Sequence, residues 1–231
     1  MWTPDPHTLT FFATLAFAVV LSLVPYVRVP FQWLETYFHE LSHGLAALLT
    51  FGRLHRLRVA WNGAGLATTY GGWPLLILLA GYAGAVGWGM LIYFAGVYLG
   101  QQASFHILAG LIGLMVVSVL LWVRDFVTFI ILGILSLLFW VPLLVPDLPI
   151  YKHVLQMIGM KVTLNAVKAP FDLIDGRHVG DGAELANRTL LIPEGVWIAL
   201  WVLMGLAGLG YMWQMPLPPD DRLLTFLPGL R

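Results

Sequence analysis

Within the apolar run from Phe31 to Phe51 stands a short polar stretch, Phe38-His39-Glu40-Leu41-Ser42-His43-Gly44. Two histidines four apart fall on one face of a helix, close enough to grip a single zinc ion, and the glutamate beside the first reaches a water on that ion. The chemistry such a trio performs is hydrolysis by a metal-activated water, with Glu40 as the base. The surroundings are unusual for it. Trp33, Leu34, Tyr37, Leu45, Ala46, Leu48 and Leu49 would suit a membrane-embedded helix, where two histidines and a glutamate are expensive and mark function.

The rest of the chain must therefore place this stretch inside a bilayer. Of 231 residues, 59% are hydrophobic and only 10% charged, with a mean hydropathy of +0.83, and several runs are long enough to cross a membrane. The expected fold class is an all-α polytopic membrane protein of about six to seven transmembrane helices, with a small β-hairpin after the second. One integral membrane domain over 1–231 is expected, seated in a lipid bilayer, the cell membrane being the expected one. Twelve Lys plus Arg against twelve Asp plus Glu leave no basic excess for nucleic acid, and no partner of that kind is expected. The lack of cysteine excludes thiolate zinc sites.

In chain order, a span is expected from about Thr8 to Val27, read as retained because no basic stretch or small-residue cleavage site accompanies it. Val29-Pro30 reads as a turn, and the motif helix follows to about Phe51. Asn62-Gly63, between β-prone runs, predicts the hairpin at about 55–70. The third span, Pro74 to about Tyr98, carries Gly81, Ala85 and Gly89 at four-residue intervals, a face for close helix packing. Two more spans follow, separated by an interfacial turn at Arg124-Asp125. The segment Ile150 to about Ile174 is too polar to face lipid all round. A polar loop at about 176–190 comes next. In it, Asp181 with Glu184 three residues on reads as an N-cap and capping box. Pro193-Glu194 then opens the last span.

A catalytic zinc takes three protein ligands and keeps its fourth position for water. The motif supplies two, so the third comes from elsewhere in the chain. The strongest acidic candidates are Asp172 and Asp175, at the end of the polar-faced segment and three apart, hence on one helical face. Asn165, seven before Asp172, shares that face and is the candidate substrate-binding residue. Glu35, four before His39, reads as a helix-start acid that could touch the site. Depth argues against a straight helix here. His39 lies about 8 residues into its run and Asp172 about 22 into its own, roughly 12 Å against 33 Å of helix. The conflict disappears if the early part of the Ile150 segment lies in the interface or outside the membrane, or if the segment bends near Gly159 or Pro170, so a simple straight span is not expected.

The pieces taken together resemble the site-2 protease family of intramembrane zinc metallopeptidases. They are His39-Glu40-Leu41-Ser42-His43-Gly44, the hairpin after it, and a later Asn/Pro/Asp-Gly segment. Details resemble its short, compact branch: Ala80-Gly81-Tyr82-Ala83-Gly84 in the third span, Phe171-Asp172-Leu173, then Asp181-Gly182-Ala183 with Ile192-Pro193 and Trp197. The resemblance implies a zinc (Zn2+) held by His39, His43 and a downstream aspartate, Asp172 or alternatively Asp175, with Glu40 as general base and acid. The implied reaction is hydrolysis of a peptide bond in a membrane-spanning protein substrate. The downstream motif departs from the family form, since Asn165, Pro170 and Ile174-Asp175-Gly176 are more widely spaced than the usual Asn, Pro and Leu-Asp-Gly. Two other readings are a catalytically inactive relative that binds membrane proteins, and an ion or solute transporter. The first would be expected to have lost Glu40 or a histidine, and the second to show paired half-helices or repeats; neither sign is present.

Overall fold

The computed structural model describes residues 6–145, 150–174 and 178–215. The elements in order are α1 (Pro6–Leu23), α2 (Pro25–Leu49), β1 (Arg53–Val59), β2 (Gly65–Tyr70), α3 (Pro74–Tyr98), α4 (Gln101–Leu121), α5 (Phe126–Leu143), α6 (Tyr151–Lys168), a 3-10 turn (Ala169–Leu173), α7 (Asp181–Thr189) and α8 (Glu194–Gln214). The protein is a multi-pass integral membrane protein. Among the described residues, α3, α4, α5 and α8 are long and apolar enough to cross a bilayer, and the pair α1–α2, bent by 110°, makes a fifth if counted as one span. That is fewer than the six to seven expected, for two reasons. The first two runs form one sharply broken unit, and α6 is too polar to qualify.

The break lies at Val24-Pro25, not at Val29-Pro30. Pro25 takes the first helical position, where its missing N–H costs nothing, and Pro30 is carried inside α2. Glu35 is accordingly mid-helix and buried, and not a helix-start acid. The hairpin forms around Asn62-Gly63, with Gly63 at φ +85°, a conformation a side chain rarely adopts. Its strands pair antiparallel, Val59 opposite Gly65 and Arg53 opposite Tyr70, with an irregularity between Leu54 and Arg56.

β1 is anchored away from β2. The Leu57 N–H donates to the Trp122 carbonyl (3.1 Å), and the Val59 N–H donates to Thr128 Oγ1 (3.0 Å). Asp125, just before α5, accepts from the Thr128 N–H (3.0 Å) and from Arg56 (3.4 Å), so the hairpin is tied to the α4–α5 turn. Arg124, beside it in that turn, donates to the Val123 and Leu121 carbonyls.

α6 runs through the interior, and its close approach to α3 depends on glycine. A Cβ on Gly159 would fall within 2.4–2.7 Å of the Tyr93 backbone and the Gly89 carbonyl, and one on Gly96 would meet the Lys152 carbonyl and Gln156. The small-residue face of α3 thus packs a helix, as its spacing predicts. Lys161, on α6, is fully buried, donates to Ser22 Oγ (2.6 Å) and lies 5.2 Å from the Phe31 ring centre. α6 runs unbroken through Gly159, and at Ala169-Pro170 it gives way to the 3-10 turn.

Candidate metal centre

α2 contributes His39, Glu40 and His43 within little more than one turn, all three buried. Helical spacing sets the two imidazoles edge to face, with ring centres 4.7 Å apart. His43 donates from Nδ1 to the Ile77 carbonyl of α3 (2.6 Å), which fixes its tautomer and leaves Nε2 bare. That nitrogen lies 3.0 Å from His39 Nε2. Asp181 Oδ2, from the start of α7, lies 3.1 Å from each of the two.

The three atoms form a nearly equilateral triangle. Zinc with bonds of about 2.0–2.1 Å to nitrogen and oxygen spaces its tetrahedral ligands about 3.3 Å apart, so this triangle is one slightly contracted face of such a site. Two imidazoles, a carboxylate and room for a fourth ligand are a donor set for catalytic zinc. Among the described residues, these three are the His and acidic side chains so gathered. Burial by itself would raise the Asp181 carboxyl. The two histidines set against it outweigh that and hold it well below the usual carboxylate range.

The backbone is shaped to this cluster. A Cβ on Gly81 would lie 2.5 Å from His43 Nε2 and 2.6 Å from His39 Nε2, so α3 approaches the ligand atoms only because residue 81 has no side chain. The first member of the small-residue face therefore packs on the site itself. Tyr82 sets its ring edge-on to His39 at 4.4 Å and tilts against Trp201 of α8 at 4.4 Å. On the hairpin side, a Cβ on Gly65 would collide with the Glu40 carboxylate, which places that carboxylate directly against β2. Thr36 Oγ1 donates to the Gly63 carbonyl (2.7 Å) and holds the turn there.

A polar cavity of about 820 Å³ adjoins the cluster. Arg28, Gln32, Glu35, Thr36, His39 and Glu40 line it at helical intervals along α2, facing Asn62–Gly65 of the hairpin, Asn165 and Lys168 of α6, and Asp172 of the 3-10 turn.

The structure thus unites the three motif residues and brings a different aspartate to them. Asp172, exposed on the 3-10 turn, lines the cavity but stays outside the group that closes on the histidines. Asp175 lies outside the described residues. Asn165 lines the same cavity, half-buried. Asp181 does not cap α7: Gly180 at φ +114° holds the cap position, and Asp181, as the first helical residue, turns its carboxylate inward. A family model described as Peptidase M50B-like matches residues 12–212. No curated protein and no solved structure matches the chain.

Proposed function

The chain belongs to the Peptidase M50B-like family, and from that membership we propose that it is an intramembrane zinc metallopeptidase cleaving a peptide bond of a membrane-spanning protein. In this reading His39, His43 and Asp181 hold the zinc and Glu40 moves the proton. The observation that supports it most is the 3.0–3.1 Å triangle of ligand atoms, set beside Glu40 on the wall of a polar cavity in a bundle of apolar helices.

Zinc bound in such a set supplies a water whose pKa falls to about 7 and a positive charge beside the reacting carbonyl. Glu40 lies within electrostatic reach of both histidines and of Asp181. There its carboxylate takes a proton from the attacking water and returns it to the amide nitrogen as the C–N bond breaks. His43 is kept in the right tautomer by the Ile77 carbonyl, a positioning role.

A peptide bond inside a helix is shielded by its own hydrogen bonds, so the substrate has to be extended before it reacts. β1 is paired on one side with β2 and bonded on the other to Trp122, which leaves the outer edge of β2 to receive an extended segment beside Glu40. Asn165 faces the same cavity and is suited to bond a substrate carbonyl or amide.

The test is zinc content together with cleavage of a model transmembrane substrate. Wild type is expected to hold stoichiometric zinc and cleave, His43→Ala to lose zinc, and Glu40→Gln to keep zinc while losing cleavage by on the order of 10²-fold or more. Undiminished cleavage by Glu40→Gln with zinc in place would defeat the assignment of Glu40.

A further inference from the structure

We propose that Tyr82 is a catalytic residue, its hydroxyl donating a hydrogen bond to the substrate carbonyl oxygen as that oxygen gains negative charge. The proposal rests on the peptidase reading and concerns a residue which that reading leaves idle.

Two tyrosines near the site differ in how their hydroxyls are used. Tyr37 is wholly buried, and its hydroxyl is taken up by Ser118 Oγ (2.8 Å) and the Leu114 carbonyl (3.3 Å), a structural arrangement. Tyr82 is held only by its ring, between His39 and Trp201. Among the described residues no hydrogen bond engages its hydroxyl. The residue lines the polar cavity with His39, Glu40 and Asp181, and the hydroxyl is within electrostatic reach of Asp181, Glu35, Glu40 and Asp172. Those carboxylates accept hydrogen bonds but, once ionised, cannot donate one. On this wall the phenol is a neutral donor set against His39 itself, alongside the amides of Gln32 and Asn165 and the Thr36 hydroxyl, which is already given to the Gly63 carbonyl.

The reaction needs such a donor. When water adds to the peptide carbon, the new C–O bond forms, the carbonyl π pair moves onto oxygen, and the water's proton passes to Glu40. When the C–N bond breaks, that proton leaves on the amine. Tyr82 keeps its own proton throughout. Its bond to the oxygen strengthens as charge develops, the condition under which a donor accelerates a reaction and does not merely bind substrate. The adjacent Gly81 explains how the ring comes this close, since α3 rests against the histidine nitrogens at that point.

Tyr82→Phe removes only the hydroxyl and keeps both ring contacts, so the fold is spared. The full chain would be purified in detergent and assayed for zinc, for kcat and KM on a transmembrane substrate, and for affinity toward a phosphinic peptide that mimics the tetrahedral adduct. Tyr82→Phe is expected to keep stoichiometric zinc and KM, to lose about 10²–10³-fold in kcat, and to bind the phosphinic peptide more weakly by about 10²-fold. A kcat within about threefold of wild type, below the loss expected of an oxyanion donor, would overturn the proposal. So would a fall in activity matched by a fall in zinc, which would make Tyr82 a support for the ligands. If zinc-loaded wild type cleaves no peptide, the peptidase reading itself fails and this proposal with it, an outcome distinct from both.

Discussion

The two halves of the candidate metal centre are built in opposite ways. On the α2–α3 side, His39 and His43 are deeply buried, one long helix sets their spacing, the Ile77 carbonyl orients one ring, and Gly81 lets a second helix seal the back. On the other side a single carboxylate arrives on a nine-residue helix, with a side chain 21% exposed, held through Leu185 against Tyr82 and Trp201. One half is dictated by local geometry, the other by how a short helix docks. The peptidase reading needs both, and the contrast locates where each can be broken.

The largest effect is expected at the docked half. Asp181→Ala removes one of three converging ligand atoms and should weaken zinc binding by on the order of 10²-fold or more, beyond the 10–100-fold typical of losing a mere supporting group. Asp172→Ala, on the exposed 3-10 turn in the same cavity, should leave zinc content at the wild-type level. Metal titration of the two purified variants decides between them. The reverse ranking would return the third ligand to Asp172 and reduce Asp181 to a hydrogen-bonding neighbour.

At the buried half, Gly81→Ala introduces a methyl 2.5–2.6 Å from the histidine nitrogens, a separation real side chains do not tolerate. Because α2 fixes the rings, α3 must retreat, and zinc affinity should fall by about 10- to 100-fold, the range seen when ligand orientation is lost. Gly87→Ala on the same helix meets nothing within 4 Å and should retain zinc and cleavage. Equal behaviour of the two variants would show that the close approach of α3 does not matter to the site.

The same contrast explains what could be read from the chain beforehand. His39, Glu40 and His43 are legible because the helix repeat alone puts them on one face. The hairpin is legible because Asn62-Gly63 suits a backbone with positive φ, and the start of α3 because Pro74 fits a first helical turn. Asp181 was legible only as the acid at a helix start, since nothing local distinguishes a carboxylate that caps its own helix from one that turns toward another. The available signal was Gly180: glycine is itself an acceptable N-cap, and with it in that position the aspartate is free for other work. The bend falls at Val24-Pro25 and not at the Val29-Pro30 that the sequence suggests, because either proline satisfies a turn locally and the packing of α1 against α6 and α8 selects the first.

The smallest effect is expected farthest from the ligands, where Asp125 braces the hairpin. It accepts from the Thr128 N–H and Oγ1 and from Arg56, and lies 3.9 Å from Arg58. Burial opposes its ionisation, but these hydrogen bonds and the guanidinium charge outweigh burial and hold the carboxyl below its usual range. Folding therefore favours the ionised form. Its contribution should be complete above the unfolded value of about pH 4 and lost as pH falls below that toward the lower folded value. Asp125→Ala should cost about 1–2 kcal/mol, the scale of a lost helix cap. That cost should shrink progressively in thermal unfolding measured from about pH 4 downward, as wild type approaches the lower folded value at which it loses the same charge. Zinc affinity should stay at the wild-type level, because His39 and His43 take their geometry from α2 and Gly81 and not from the strand behind them. A large loss of zinc in Asp125→Ala would show that the buried half depends on the hairpin as much as the docked half depends on α7, and the two would no longer differ in kind.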